Sequence, residues 1–268
     1  MSRPLHVLTA TEAGDPALGN EDALIGTPEL IVVLDGVTPL DRTSAPCVHG
    51  LRWYVDALAH AIAEGNRAHP QRSLADLLAA AIDTTRRAHV DTCDLGHVDA
   101  PAATVAIVRL TDDRLEHLVL ADAAVVLELD GREDEPEVVV DDRPAATGRR
   151  LRAEGIRLPA GEFRSRWANR PGGYWVAAAD PSVVEEALTG SVPLADVRRG
   201  VVASDGATRL VDTFARYTWA EALDVIESEG PRAWLARTRA VESDPAATVR
   251  GKRHDDATIA LLTREPRP

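Results

Sequence analysis

Short apolar runs recur along the chain, and several of them end directly at an aspartate. Each run is four to seven residues long and rich in Val, Ile and Leu, a length and composition typical of buried strands. The runs cover residues 30–34, 104–110, 115–120, 125–129, 174–178, 200–203 and 258–262. This feature predicts sheets assembled from short strands.

Helical periodicity fills the gap between the first and second runs. Residues 48–63 and 74–90 carry apolar side chains at three- and four-residue spacing, and Ser73 with Asp76 is typical of a helix N-terminus. Further helices are predicted at 181–188, 219–227 and 231–241. Strands in hairpins flanked by helical pairs favour an α+β sandwich over regular βαβ alternation.

The connections differ in character. Residues 111–113 and 130–135 are predicted to be hairpin turns. The arginine-rich stretch 141–173 contains Gly and Pro and has weak periodicity, which predicts an irregular or partly helical insertion that serves as a lid or substrate flap. No repeat or composition shift marks a boundary, so residues 1–268 are predicted to form a single domain.

Composition narrows the class of partner. The 268 residues are 45% apolar and carry a formal charge of −13, which disfavours nucleic acid or an anionic membrane as the main partner. No apolar run approaches the roughly 18 residues of a membrane span, and the first ten residues lack a secretory signal pattern, so a cytoplasmic location is expected. In such a reducing compartment the two cysteines, Cys47 and Cys93, would remain thiols. Lys252 is the only lysine, which we attribute to codon bias.

Four acidic sites share a local pattern. They are Asn20-Glu21-Asp22, Leu34-Asp35-Gly36, Ser204-Asp205-Gly206 and His254-Asp255-Asp256. In the middle two, an apolar run ends in Asp-Gly, so a carboxylate projects from a strand end and the glycine allows backbone to approach a ligand. Such oxygen donors suit Mg²⁺ or Mn²⁺, and two such ions would activate a bridging water and hold a phosphoryl group. A single Asp-Gly, by contrast, favours a simple turn.

Taken in order from Thr9 to Leu262, the motifs resemble those of the PP2C (PPM) family of serine/threonine phosphatases, as a divergent member. The resembling segments are Asn20-Glu21-Asp22-Ala23, Val33-Leu34-Asp35-Gly36, Thr104-Val105-Ala106, Leu120-Ala121-Asp122-Ala123, Val202-Ala203-Ser204-Asp205-Gly206 and Asp255-Asp256-Ala257-Thr258-Ile259. Each motif is weakly specific alone, but six in the family's order make coincidence a poor explanation.

The resemblance implies an α-β-β-α sandwich of two antiparallel sheets flanked by helix pairs, with two Mn²⁺ or Mg²⁺ ions at one end and a third, weaker ion. The implied metal ligands are Glu21, Asp22, Asp35, the Gly36 carbonyl, Asp122, Asp205 and Asp255. Asp35 would bridge both ions, Asp205 and Asp255 would complete the first, and Asp122 would bind the third. Glu21 and Asp22 would hold metal-bound waters.

Departures from the family pattern concern the substrate side of the site. Ala17 stands where many members have a phosphate-gripping arginine, and Val37 stands where some have a proton-donating histidine. His254 is a candidate to replace this proton donor. The alternative is that His254 only supports the metal ligands or is exposed to solvent. The candidate substrate-binding residues are Arg42 and His49, with Arg143, Arg149, Arg150 and Arg164 as alternative phosphate clamps.

Cys47 and His49 allow a different chemistry, in which a thiol acts as nucleophile with a nearby imidazole as base. A partly buried cysteine beside a histidine that supports the metal cleft is the simpler interpretation. Among the tryptophans, Trp167 in the insertion is the candidate for ligand contact. The other tryptophans are expected in the core at positions 53, 175, 219 and 234.

These features predict a metal-dependent phosphatase that hydrolyses a phosphomonoester by attack of a metal-bridged hydroxide. Phosphoserine or phosphothreonine in a protein is the default substrate by resemblance, and a small phosphorylated metabolite is the nearest competitor. A regulatory or binding module that keeps the fold without turnover is a second alternative. Chemistry through Cys47 and His49 is a third.

Overall fold

The structure is a computed structural model that describes residues 5–41, 46–248 and 252–264. Within these ranges, ten strands form two five-stranded sheets. The strands are β1 Leu5–Glu12, β2 Asp22–Gly26, β3 Leu30–Gly36, β4 Ala103–Leu110, β5 Arg114–Leu120, β6 Ala124–Leu129, β7 Glu137–Val140, β8 Leu188–Pro193, β9 Val197–Ala203 and β10 Ala257–Arg264. The helices are α1 Gly50–Ala68, α2 Leu74–His89, α3 Arg143–Ala153, α4 Ala160–Trp167, α5 Asp205–Asp212, α6 Trp219–Glu229 and α7 Pro231–Ser243.

Both sheets are antiparallel throughout. The first sheet has the order β1-β10-β9-β6-β7, and the second has the order β2-β3-β4-β5-β8. The chain therefore crosses between the sheets four times, after β1, β5, β7 and β8. These crossings bring the Asp22 end of β2, the β5–β6 turn, the end of β9 and the start of β10 together.

The two sheets pack face to face, and side-chain alternation in β3 shows how. Ile31 and Val33 lie in the core between the sheets, which we call the inter-sheet core, whereas Val32 and Leu34 face α1 and α2. Because both faces of the strand are covered, its apolar residues form a continuous buried run. Asp35 follows Val33 by two residues and therefore belongs to the inter-sheet face.

Helices cover the outer faces of both sheets. The α1–α2 pair packs on the second sheet, around Tyr54, Leu58 and Ile82. On the first sheet, α5, α6 and α7 bury Trp234, whose indole Nε1 donates to the Ala207 carbonyl at 2.8 Å. The resulting four layers are the α-β-β-α sandwich expected from the sequence. No helix in the described ranges has the length and hydropathy needed to span a bilayer.

The inner strands lie where the apolar runs predicted them, but four strands were missed. These are β1, β2, β7 and β8, which are the four edge strands of the two sheets. An edge strand is paired on one side only and is partly exposed, so it lacks the continuous apolar run that marks a strand in the middle of a sheet.

Three further expectations need correction. Residues 174–178 form isolated bridges, Ala177 to Ala103 and Tyr174 to Ala168, and not the predicted strand. The predicted helix at 181–188 is a 3₁₀ helix, Pro181–Glu186, that gives way to β8. Helix α5 was missed because its opening Asp-Gly reads as a turn. In the insertion 141–173, α3 and α4 confirm the partly helical alternative.

The turn between β5 and β6 contains a non-glycine residue in the left-handed region. Ala121 has φ of 66°, is buried, and accepts a hydrogen bond from the Asp141 amide at 3.2 Å. A side chain costs about 1–2 kcal/mol in this conformation. We therefore expect Ala121→Gly to be nearly neutral for the free energy of unfolding, because relief of strain offsets the lost methyl burial and the extra entropy of the unfolded chain.

Ala123 provides the matched control for this turn, because it is equally buried and its φ is negative. Ala123→Gly should lower the free energy of unfolding by about 1–2 kcal/mol more than Ala121→Gly, measured by urea denaturation. Equal losses in the two variants would mean that Ala121 stores no strain.

Candidate metal centre

Two carboxylates meet where β2 pairs with β3. Asp22 and Asp35 are direct cross-strand partners, and such partners place their side chains on the same face of a sheet. The Gly36 amide donates to the Glu21 carbonyl at 3.1 Å, and a Cβ at Gly36 would lie 2.7 Å from that oxygen. Glycine at 36 is therefore required by the close approach of two backbone segments.

Three more carboxylates reach the same region from other connections. Asp122 lies in the β5–β6 turn, Asp205 opens α5 directly after β9, and Asp255 precedes β10. Because β9 and β10 are antiparallel neighbours, the end of one strand lies beside the start of the other. We call Asp22, Asp35, Asp122, Asp205 and Asp255 the carboxylate cluster.

Burial and nearby charge shift the pKa values of the carboxylate cluster. Burial raises the pKa of Asp35 well above its ordinary value, and the charges of the other four members raise it further. Burial followed by the charges of Asp122 and Asp255 raises the pKa of Asp205 to about 8. Burial also raises the pKa of Asp22 to about 7, although hydrogen bonds with Thr258 and Ser204 oppose the shift. The charges of Asp205 and Asp255 act on Asp35, so these three carboxyl groups lie in one region of the fold. That they bind shared ions stays a prediction.

The cluster has oxygens without protein partners. Asp22 Oδ1 and Asp205 Oδ1 are buried and accept no hydrogen bond from any described residue. An uncompensated buried carboxylate oxygen is unfavourable, and a divalent cation would compensate it. Carboxylate and carbonyl oxygens are the donors that Mg²⁺ and Mn²⁺ prefer, so the residues present fit such ions.

Asp255 differs from the other members because two cations hold it. Arg209 Nη2 donates to its Oδ2, and Lys252 Nζ donates to its Oδ1, each at 2.9 Å. Burial acts to lower the pKa of Lys252, but the charges of Asp255, Asp35 and Glu21 raise it overall. Neither cation was predicted as part of the site, and the only feature of the sequence that marks either one is that Lys252 is the only lysine.

A layer of supporting contacts fixes the acidic segments. Asp256 accepts from the amides of Gly14 and Glu21, each at 2.7 Å. Ser204 Oγ donates to Asp22 Oδ2 at 2.9 Å. A Cβ at Gly206 would lie 2.0 Å from the Asp256 carbonyl oxygen, so only glycine allows these segments to touch. Neighbours of the predicted ligands thus hold the backbone that presents them.

Three candidates for proton transfer or substrate binding have other partners or lie outside the described ranges. His254 Nδ1 lies 3.0 Å from Glu242 Oε2 of α7, a carboxylate that is fully buried. His49 immediately precedes α1 and stacks on Trp53, with ring centroids 4.4 Å apart. Arg42 lies outside the described residues.

The thiol alternative finds little support. Cys47 Sγ lies 3.8 Å from His49 Nδ1, so the two groups do meet. However, Cys47 is only 5% exposed, and burial raises the pKa of its thiol. A nucleophilic cysteine requires a lowered pKa and access to substrate.

The insertion 141–173, for which we keep the name flap, lines most of a cleft. This cleft has a volume of about 710 Å³, and Val37 and Tyr174 form part of its wall. Val37 follows Gly36 in the chain, and Tyr174 experiences the charge of Asp122. Apolar side chains and arginines of the flap form the rest, including Leu151, Arg152, Ile156, Arg157, Leu158, Phe163 and Arg164.

Each described arginine that was considered as a phosphate clamp makes an internal contact. Arg164 links the flap to the body, because it donates to Asp99 at 2.7 Å and to the Thr38 carbonyl at 2.6 Å. Arg150 stacks over Trp167, the tryptophan singled out for ligand contact, at 4.9 Å from the ring centroid. The remaining two form ion pairs, Arg143 with Asp141 and Glu186, and Arg149 with Asp142. Arg152 and Arg157, which line the cleft, were not singled out from the sequence.

Comparison with known proteins identifies the fold. No protein-family model and no curated protein sequence matches the chain. Solved structures match it over nearly the whole length. The serine/threonine phosphatase PstP/Ppp of Mycobacterium tuberculosis is 18% identical with a TM-score of 0.63, and the match covers 98% of this chain and 99% of that chain.

Two other matches are similar. The catalytic domain of PstP in complex with two manganese ions is 16% identical, with a TM-score of 0.61 and 97% of each chain covered. Stp1 of Staphylococcus aureus is 14% identical, with a TM-score of 0.61, 98% of this chain and 96% of that chain covered. The chain therefore has the fold of the PP2C (PPM) phosphatases, as the sequence motifs predicted.

The raised pKa of Asp205 has a measurable consequence in metal-free protein. Its pKa rises from 3.8 to about 8 on folding. At a pH between these two values, Asp205 therefore keeps its proton in the folded chain and has lost it in the unfolded chain. The contribution of this group to the free energy of unfolding is therefore lost as pH rises through that window. Asp205→Asn should gain stability over the wild type by on the order of 2 kcal/mol between about pH 5 and pH 8.

Chemical denaturation of chelator-treated protein at several pH values measures this difference. Asp134→Asn is the control, because Asp134 is exposed in the β6–β7 turn and should follow the wild-type profile. Parallel profiles for the wild type and Asp205→Asn would contradict the shift.

Proposed function

We propose that the protein is a metal-dependent phosphatase that hydrolyses phosphomonoesters at the carboxylate cluster. The observation that carries this proposal is the arrangement of five aspartates from distant parts of the chain at neighbouring strand ends and turns, two of which have buried oxygens without partners. Bound Mn²⁺ or Mg²⁺ would supply a water of lowered pKa and would neutralise phosphoryl charge. The known phosphatases with this fold, one of them described with two manganese ions, support the same chemistry.

The protein residues have distinct tasks in this proposal. Asp35 would be the central metal ligand, because it pairs directly with Asp22 across β2 and β3 and the charges of the other members act on it. Asp205 offers a partner-free oxygen, and Ser204 orients Asp22. Gly36 lets the backbone of the Asp35 segment lie against Glu21.

Secondary roles follow from the contacts at the edge of the cluster. Arg209 and Lys252 compensate Asp255 in the metal-free chain, so Asp255 must exchange a cation contact before it can coordinate. Asp122 is the candidate ligand for a third, weaker ion, because it lies in the β5–β6 turn and the charge of Asp255 acts on it to raise its pKa. Glu21 accepts from Thr38 at 2.9 Å and would hold a water ligand.

A phosphorylated protein is the proposed substrate, with phosphoserine or phosphothreonine as the reacting group. The cleft combines apolar side chains with arginines, a lining suited to a peptide segment beside a phosphate. A small phosphorylated metabolite is the alternative, because the volume of about 710 Å³ also fits a small ligand. Flap residues should distinguish them, since a protein substrate contacts more of the flap.

Removal of the central ligands should abolish catalysis. With Mn²⁺, the purified protein should release p-nitrophenol from p-nitrophenyl phosphate, and Asp35→Asn or Asp205→Asn should lower kcat/KM by on the order of 1,000-fold, equivalent to about 4 kcal/mol of transition-state stabilisation. Asp134→Asn should retain wild-type activity, because Asp134 lies far along the first sheet in the β6–β7 turn.

Other outcomes separate the alternatives. Metal binding without turnover of any phosphomonoester would support a binding module. Metal-independent activity that is lost in Cys47→Ala would support the thiol chemistry.

The two arginines of the cleft should affect substrate binding selectively. Arg152 and Arg157 are exposed and line the cleft, so each contributes a screened attraction to an anionic substrate. Arg152→Gln and Arg157→Gln should each raise KM for an acidic phosphopeptide by about two- to fivefold, with little change in kcat.

Arg132→Gln in the β6–β7 turn is the control, because Arg132 is exposed and does not line the cleft. The KM for p-nitrophenyl phosphate should stay close to wild type in all three variants. If the flap variants and the wild type have equal KM for the phosphopeptide, the flap arginines do not contribute to substrate binding.

A further inference from the structure

Four potential metal ligands meet at the outer end of the α1–α2 pair. They are Cys47, His49, His89 and Cys93, and their ligand atoms all lie within 4.8 Å of one another. They form the only such group of three or more His, Cys, Asp or Glu side chains found among the described residues. None of the four belongs to the carboxylate cluster.

The distances within this group suit coordination by one ion. His89 Nδ1 lies 3.6 Å from Cys47 Sγ, and His49 Nδ1 lies 3.8 Å from Cys47 Sγ and 3.4 Å from Cys93 Sγ. A tetrahedral zinc ion with bonds of about 2.3 Å to sulfur and 2.0–2.1 Å to nitrogen separates sulfur and nitrogen ligands by about 3.6 Å. The three measured distances scatter closely around that separation.

The two sulfurs lie closer together, at 2.9 Å, so the site has to open slightly for an ion. A disulfide between them is the competing arrangement. It would leave both imidazoles without a function, although each directs Nδ1 at a sulfur atom. Two thiols and two imidazoles around one point form the N₂S₂ ligand set of a closed structural zinc site.

The ligands come from two chain segments that other contacts already join. Cys47 and His49 precede α1, whereas His89 ends α2 and Cys93 lies in the next turn. The Asp94 amide donates to the Pro46 carbonyl at 3.0 Å, which ties one segment to the other. Their spacings, one residue between Cys47 and His49 and three between His89 and Cys93, are short, as in loops that wrap an ion.

Aromatic rings hold the imidazoles in place. Trp53 stacks on His49 with ring centroids 4.4 Å apart and lies 5.1 Å from His89. Tyr54 flanks His89 at 6.0 Å, and His89 is only 2% exposed. Ring packing of this kind restricts imidazole orientation before an ion binds, which lowers the entropy lost on coordination.

We infer that Cys47, His49, His89 and Cys93 form a structural site for one soft divalent cation, with Zn²⁺ as the ion of matching chemistry. Because all four ligands come from the protein, the site is closed and has no open position for catalysis. It is chemically distinct from the carboxylate cluster, whose oxygen donors select Mg²⁺ or Mn²⁺.

The location indicates what the ion stabilises. It joins the start of α1 to the end of α2, and the chain continues from Cys93 to Asp99. Asp99 accepts hydrogen bonds from the Leu40 amide at 3.0 Å and from Arg164 of the flap at 2.7 Å. The ion would therefore stabilise the loops that anchor the flap.

Metal analysis of the full-length protein, purified under reducing conditions without added metal, tests the inference. We expect about one zinc ion per chain, retained in an excess of Mg²⁺. Replacement by Co²⁺ should produce a thiolate-to-cobalt charge-transfer band and the intense visible bands of a tetrahedral ion. Cys93→Ser is the main variant, because Cys93 is the less buried cysteine, and it should weaken zinc binding by on the order of 100-fold and remove part of the charge-transfer intensity.

Matched variants make the result specific. Asp35→Asn should keep both the zinc and the cobalt spectrum, so failure of the proposed phosphatase activity leaves this test unaffected. Asp91→Asn, an exposed position in the turn between His89 and Cys93, should also keep them, and circular dichroism of each variant reports folding. Three results would each overturn the inference. The first is zinc that is lost in Asp35→Asn but kept in Cys93→Ser, and the second is a cobalt spectrum without a charge-transfer band. The third is a Cys47–Cys93 disulfide found by mass spectrometry in the reduced preparation.

Discussion

Repulsion among buried carboxylates is the interaction on which the architecture of the site depends. Five aspartates come together at one end of the inter-sheet core, and burial with mutual repulsion raises the pKa of Asp22, Asp35, Asp122 and Asp205. The rest of the fold must stabilise this arrangement against its own charge. Arg209 and Lys252 compensate Asp255, but Asp22 and Asp205 keep oxygens without partners. The uncompensated part of the site is the part suited to cations.

Strand alternation explains why the carboxylates converge. Ile31 and Val33 face the inter-sheet core, so Asp35 takes the next position on that face. On β9, Val202 occupies the same core, and Ser204 two residues later reaches Asp22 of the other sheet. The apolar residues that hold the sheets together therefore also set the direction of the polar residues at the strand ends.

The molecule offers two coordination chemistries at separate places. Oxygen donors lie at the end of the inter-sheet core, whereas sulfur and nitrogen donors lie outside it, where α1 begins and α2 ends. Asp99 lies in the loop between Cys93 and β4 and receives Arg164 of the flap, so the helix pair and the flap share one set of contacts. A hard ion at the first place and a soft ion at the second would not compete for the same ligands.

The sequence alone predicts the inner strands, the helices α1, α2, α6 and α7, and the ordered series of acidic motifs. A strand buried on both faces carries a continuous apolar run, as Leu30 to Leu34 does, and a motif such as Ser204-Asp205-Gly206 is contiguous in the chain. Three features emerge only in the folded chain: the edge strands, the pairing of Arg209 with Asp255, and the meeting of His89 and Cys93 with Cys47 and His49. Those features depend on contacts between segments that sheet pairing and helix packing bring together, and such proximity leaves no local pattern in the chain.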